Sequence, residues 1–135
     1  MDHTQTMLIG GLLFKKAGDF ILSNGGPQLK ICGQSRVDRH VVYAHVIDGV
    51  VSYIGESSTS LHDRVRLYIT HDGSTNVRVL KAINDELMAG KKVEVYYYKP
   101  TMIVIDGVLS INPYVGIEQA LIGCVKPALN KKNVA

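Results

Sequence analysis

Two extended runs meeting at Asp48-Gly49 constrain this chain more than any other feature. Residues 41–47 read Val-Val-Tyr-Ala-His-Val-Ile, and residues 50–54 read Val-Val-Ser-Tyr-Ile. Both are β-branched and aromatic, which suits a half-buried pleated surface. Asp-Gly between such runs favours a two-residue turn whose twist matches antiparallel strands. An isolated hairpin is marginal in water, so it needs further strands or a covering helix. An antiparallel sheet is therefore the organising element to expect.

The residues that follow supply the cover. A small polar loop over 55–60 ends in Ser60, a good helix N-cap. Leu61, Val65, Tyr68 and Ile69 recur at helical intervals and predict a first helix over 61–69. After a loop over 71–74, a second helix is expected over 75–89, with Val79, Leu80, Ile83, Leu87 and Met88 as its apolar side. Gly90 stops it. Residues 92–98 alternate as a strand closed by Pro100, and residues 101–105 predict one more short strand before Asp106-Gly107. Pro113 opens a third helix as an early-turn proline, with Ile117, Leu121 and Cys124 or Val125 facing the core. The expected class is α+β: a small antiparallel β-sheet flanked by helices.

The chain has 135 residues and a mass of 14.8 kDa, the size of one domain with a real core. The expected division is a glycine-rich N-terminal extension over 1–40, packed on or next to a domain over 41–130, and a tail over 131–135. In the extension, Asn24-Gly25-Gly26-Pro27 marks a turn and residues 29–32 suggest a short strand. Fifteen basic and 12 acidic residues leave a charge of +3, far from the imbalance of a histone-like arm. Cys32 and Cys124 lie far apart in no zinc-ligand spacing, which points to a reducing cytoplasmic compartment. The longest apolar run, over residues 7–14, is too short to span a bilayer and lacks a basic leader, so no membrane span or signal peptide is expected.

The residues that carry chemistry are spread over residues 41–130. Val41-Val42-Tyr43 and, after the hairpin turn, Tyr53-Ile54-Gly55 form two triplets. Leu61-His62-Asp63-Arg64 follows, with Tyr68 four residues on. Glu118 lies near the start of the third helix, and Pro127-Ala128-Leu129-Asn130 comes after it. In this order the set resembles the GIY-YIG nuclease family, over about residues 41–130. The first triplet departs from the pattern, with Val41 where the family has glycine. The second is intact.

The resemblance implies a metal-dependent DNA endonuclease that hydrolyses phosphodiester bonds. It implies Tyr43, Tyr53, Arg64 and Glu118 as catalytic residues, with Tyr43 activating the attacking water. Glu118 would hold Mg²⁺ or Mn²⁺. Gly55, Tyr68, Arg78, Lys81 and Asn130 are the expected contacts around the substrate. The chemistry agrees with these residue types. A guanidinium offers a planar fork of donors to phosphoryl oxygens as their charge grows. Magnesium keeps most of its waters and needs only one or two carboxylates besides phosphate oxygens. It would stabilise the leaving 3′ oxygen. An unperturbed phenol titrates near 10, so Tyr43 needs a nearby cation or merely orients water. Many relatives place a lysine directly after the second triplet. Here Glu56 stands there, and Arg78 or Lys81 on the second helix is the expected substitute.

Each residue also has a plainer reading. Taken singly, Tyr43 and Tyr53 pack in a sheet, Arg64 is an exposed helix arginine, and Glu118 answers a helix dipole. Tyr68 is as readily core as phosphate contact. His45 reads as a hydrogen-bonded strand residue, His71 as a loop residue, and Tyr96-Tyr97-Tyr98 as a strand with aromatics on both faces. A silent relative that only binds nucleic acid or protein is the competing function, motivated by Val41 and Glu56. A small-molecule enzyme on an unrelated α+β fold has no supporting motif. The expected partner is DNA, and a homo-oligomer follows if one small site must cut both strands. Phage, restriction, repair and mobile-element roles are all compatible with the residues.

Overall fold

The structure, a computed structural model, describes residues 5–24, 26–31, 33, 37–64 and 74–133. Strands β1 (Thr6–Ile9), β2 (Leu12–Ser23) and β3 (Gly26–Ile31) precede the hairpin of β4 (Val41–Ile47) and β5 (Val50–Ser57). A helical turn at 61–64 and helix α1 (Ser74–Met88) lead to β6 (Val93–Tyr98). A small hairpin, β7 (Ile103–Ile105) and β8 (Leu109–Ile111), then feeds helix α2 (Tyr114–Val125) and a 3₁₀ segment (Ala128–Asn133).

The main sheet runs β1-β2-β6-β4-β5, with β3 also paired to β2. Every pairing in it is antiparallel. The predicted α+β class is the one observed. β6 lies between β2 and β4, so the N-terminal strands join the same sheet as the β4–β5 hairpin. Short strands were the expectation for the N-terminal segment, yet β2 is 12 residues long. It reaches that length by pairing with β1, β3 and β6 along different stretches, with a register shift between Lys16 and Gly18.

Period-two alternation splits the sheet into two cores. Tyr43, Tyr53, Val93 and Val95 point to one face, where Val79 and Ile83 of α1 and Leu61 of the helical turn cover them. Val42, Ala44, Val46 and Ile54 point to the other, covered by Leu121 and Ile122 of α2. The tyrosine triplet follows the same alternation. Tyr97 packs on the α1 side, while Tyr96 and Tyr98 pack on the α2 side, with Tyr98 stacked on Phe14 at 5.6 Å.

The local signals hold where they can be compared. Ser60 caps the helical turn: its Oγ accepts from the Asp63 amide at 3.2 Å, and its carbonyl accepts from the Arg64 amide at 2.9 Å. Gly90 ends α1 with φ +82°. The Lys91 amide reaches the Glu86 carbonyl and the Gly90 amide reaches the Leu87 carbonyl, both at 3.0 Å, the two bonds of a Schellman motif. On α2, Leu121 and Ile122 are buried and Ile117 and Val125 pack beside them, so of the two alternatives Val125 faces the core and Cys124 is exposed. Among the described residues no helix is long and apolar enough to cross a membrane.

Candidate active site

Cross-strand register builds the centre of the site. Tyr43 of β4 sits opposite Gly55 of β5, and His45 sits opposite Tyr53. All four therefore share one face of the hairpin, with Tyr43 and Tyr53 as diagonal neighbours. Their ring centroids are 6.2 Å apart, and Tyr43 donates a hydrogen bond to the Tyr53 oxygen. Tyr43 is completely buried, and Tyr53 is 7% exposed.

Gly55 is required by that arrangement. A Cβ added there would lie 2.6 Å from both Cζ and Oη of Tyr43. Its backbone does not demand glycine through a positive φ. The phenol of Tyr43 occupies the space that any other side chain would take.

His45 belongs to the same cluster, which the strand-residue reading missed. Its ring stacks on Tyr53 at 5.5 Å and lies 5.3 Å from Tyr43, with Phe20 edge-on at 5.4 Å. Burial, reinforced by the Arg64 charge, pushes its pKa down to about 3. The imidazole is neutral at ordinary pH. The available signal was its spacing: residues i and i+2 of a strand share a face, so His45 must accompany Tyr43.

Charged groups reach this centre from three other stretches of chain. Arg64, one turn beyond the Ser60 cap, acts electrostatically on Tyr53, His45 and Glu118. Arg78 of α1 also acts on Tyr53 and donates from Nη1 to the Leu129 carbonyl. Burial raises the Tyr53 pKa above its ordinary value, despite both arginines and the Tyr43 bond. The phenol is protonated at neutral pH.

Glu118 on α2 is partly buried, and its pKa is raised. Burial is the largest cause. The Glu56 carboxylate adds to it, while the hydrogen bond from Gln119 Nε2, at 2.8 Å, and the charge of Arg64 oppose it. Glu56 is thus close enough to Glu118 to disfavour its charge. Among the described residues no group of three His, Cys, Asp or Glu side chains clusters as a metal site.

Asn130 works on the backbone. Its Oδ1 accepts from the Ile54 amide and its Nδ2 donates to the Ile54 carbonyl, both at 2.9 Å. The side chain is 2% exposed, with both polar groups committed to Ile54. It therefore mimics a neighbouring strand along the free edge of β5, between Tyr53 and Gly55. Lys81 is not drawn into the cluster. It is 74% exposed and pairs with Asp85 at 2.8 Å along α1, so the α1 cation that acts on Tyr53 is Arg78. Tyr68 and His71 lie outside the described residues.

No protein-family profile matches the chain, and no curated protein matches it in sequence. Solved structures do resemble it. A glutamate-to-alanine mutant of bacteriophage T4 EndoII is 22% identical with a TM-score of 0.67, covering 85% of this chain and 90% of that one. The restriction endonuclease HPY188I, solved in complex with product DNA, is 19% identical with a TM-score of 0.54, covering 84% and 76%. At such identities the likeness is one of fold.

Proposed function

We propose that the chain is a metal-dependent endonuclease that hydrolyses DNA phosphodiester bonds with a GIY-YIG-type site. The observation that carries this reading is the convergence around Tyr53. Tyr43 bonds to it, and Arg64, Arg78 and Glu118, from three separate stretches, all act on it. Two shared-fold neighbours add support, one of them a restriction endonuclease seen with product DNA.

In this reading Arg64 donates to the non-bridging oxygens of the scissile phosphate, where charge grows in the transition state. Arg78, held by the Leu129 carbonyl, replaces the lysine that Glu56 displaces. The Tyr43–Tyr53 pair positions the attacking water, with Tyr53 nearer the surface and Tyr43 fixing the direction of its hydroxyl.

Glu118 is the residue that would hold Mg²⁺ or Mn²⁺. The donor chemistry fits: it is a half-buried carboxylate whose charge is disfavoured by burial and by Glu56, so a divalent cation would relieve both. One carboxylate side chain with water and phosphate oxygens is within the preference of magnesium. When bound, the ion supplies charge stabilisation for the leaving oxygen.

Plasmid cleavage with Mg²⁺, with EDTA, and with Glu118→Ala tests the reading. Nicking that requires the metal and disappears in the variant is expected. A folded protein that binds DNA but fails to cut it under any divalent metal would instead be the silent relative, which the covered Tyr43 and Glu56 would then explain.

A further inference from the structure

A cavity of about 410 Å³ opens on the α1 side of the sheet, beside the tyrosine cluster and outside the proposed reaction. Leu13, Lys15, Asp38, Tyr97 and Lys99 are among its lining. Register places it. Tyr97 of β6 sits opposite Tyr43 on one side and opposite Lys15 of β2 on the other. With Gly55 opposite Tyr43, one row runs Lys15, Tyr97, Tyr43, Gly55 across the sheet. Neighbouring strands lie ~4.8 Å apart, so the cavity begins one to two spacings, ~5–10 Å, from Tyr43. That is a span of only a few nucleotides along a DNA strand.

The wall of this cavity carries a buried acid. Asp38 is 6% exposed. Its Oδ1 accepts from Lys99 Nζ at 3.1 Å, and the carboxylate also accepts from the Tyr97 hydroxyl. A carboxylate held out of water is costly unless donors reach it. Lys99 is a loose partner for that purpose, because its own side chain is 57% exposed. The proposed reaction does not use this acid. Leu13 and the Tyr97 ring add an aliphatic and an aromatic wall, and the cavity has the size that small organic groups fill.

A phosphate is disfavoured as the occupant, since Asp38 would repel it and already neutralises Lys99. A flat, uncharged group with N–H donors on its edge suits both the ring and the acid. From this we infer that the Asp38 cavity takes one nucleobase of the DNA strand near the cut, stacked on Tyr97, with its amino group donating to Asp38. The exposed Lys99 gives way at little cost, because an ion pair open to water contributes little. An acidic side chain reads the amino group of cytosine, whereas thymine would turn a carbonyl oxygen toward it. The cavity therefore selects amino-bearing bases over thymine. This rests on the endonuclease reading for the source of the base, while the chemistry of the cavity stands apart from it.

Amide chemical-shift titrations of the isotope-labelled full chain with oligo-dC and with oligo-dT, in EDTA so that nothing is cut, test this. The two strands carry the same phosphate charge and differ in the base alone. Oligo-dC is expected to bind at least ~10-fold more tightly, as one base-edge pair implies. The Asp38, Tyr97 and Lys99 amides should shift most. Asp38→Asn, checked for fold by the dispersion of its spectrum, should bring the two affinities together. Should that variant not fold, the wild-type comparison decides alone. Equal affinities for the two strands overturn the inference, as does binding of neither. So do shifts that bypass the Asp38, Tyr97 and Lys99 amides, or a preference that survives in Asp38→Asn. Failure of the endonuclease reading looks different: the oligo-dC preference persists at these amides while plasmid stays uncut in Mg²⁺.

Discussion

Tyr43 and Gly55 are one structural unit, because the space of a missing side chain on β5 is filled by a phenol from β4. Gly55→Ala places a methyl 2.6 Å from the ring of a side chain with no exposed surface to retreat to. Overpacking of this kind costs roughly 1–3 kcal/mol. Denaturant titration should show that loss, and DNA cutting should fall with it as the phenol is displaced. Pairing Gly55→Ala with Tyr43→Leu should restore much of the stability while leaving cutting abolished. Additive destabilisation in the double variant would mean that the two residues do not share the space. The triplets were legible in the sequence as motifs, yet the reason for the glycine was not, since it depends on a rotamer reached across the strand pair.

His45 makes a second residue-scale prediction. Burial and Arg64 hold its pKa near 3, far below the ordinary value of 6.5. The unfolded chain takes up a proton there below pH 6.5, and the folded one does not until about pH 3. Stability from this residue is therefore complete above pH 6.5 and falls as the pH drops. Between pH 7 and pH 5 the loss should be about 2 kcal/mol. Urea midpoints at the two pH values, for wild type and His45→Leu, measure it. The variant should show a shallower pH dependence, and identical slopes would place His45 outside the acid response. The imidazole could have been placed on the phenol face from strand alternation alone. Its complete burial could not, because α1 and the helical turn at 61–64 create it from elsewhere in the chain.

At the scale of elements, the free edge of β5 is the point that needs explaining. A strand edge exposes unpaired amides and carbonyls, and Tyr53 and Gly55 must stay in register along it. Asn130 closes the edge at Ile54 with a peptide-like pair of hydrogen bonds. Asn130→Ala leaves a buried donor and a buried acceptor without their partner, a cost of about 1–3 kcal/mol for each group left unsatisfied. The Ile54 amide should then exchange faster with solvent than its neighbours on β4. Cutting should drop even though no group of Asn130 is free to touch substrate. An unchanged exchange rate at Ile54 would remove Asn130 from this positioning role. Local elements were the legible part of the fold: the β4–β5 hairpin, the Ser60 cap and the Gly90 stop each rest on residues within a few positions of one another. The 12-residue span of β2 and the second strand of the β7–β8 hairpin were not. β2 depends on pairing with a strand some 75 positions later in the chain, roughly the kind of non-local contact that propensity does not report.

For the whole molecule, the order β1-β2-β6-β4-β5 decides the electrostatics of any encounter with DNA. Inserting β6 between β2 and β4 brings the α1 side of the sheet, with Arg78, against the hairpin that carries Tyr43 and Tyr53. A net charge of +3 is too small to attract a polyanion over the whole surface, so attraction must be local. Arg64 and Arg78 meet at Tyr53, whereas the exposed Lys81 and Lys91 are already paired with Asp85 and Glu86. A footprint of about two phosphates per chain follows, and binding should weaken with salt at a slope near −2 in log–log form. Fluorescence anisotropy with Glu118→Gln, which removes the cutting step, would measure it on a short duplex. Arg64→Ala should reduce the slope by about 1, the mark of one lost phosphate contact. A slope near zero would mean that the arginine cluster does not meet the phosphate backbone. A slope far steeper would mean that the paired lysines leave their carboxylates to join it. Either result would move the DNA surface away from the tyrosine face.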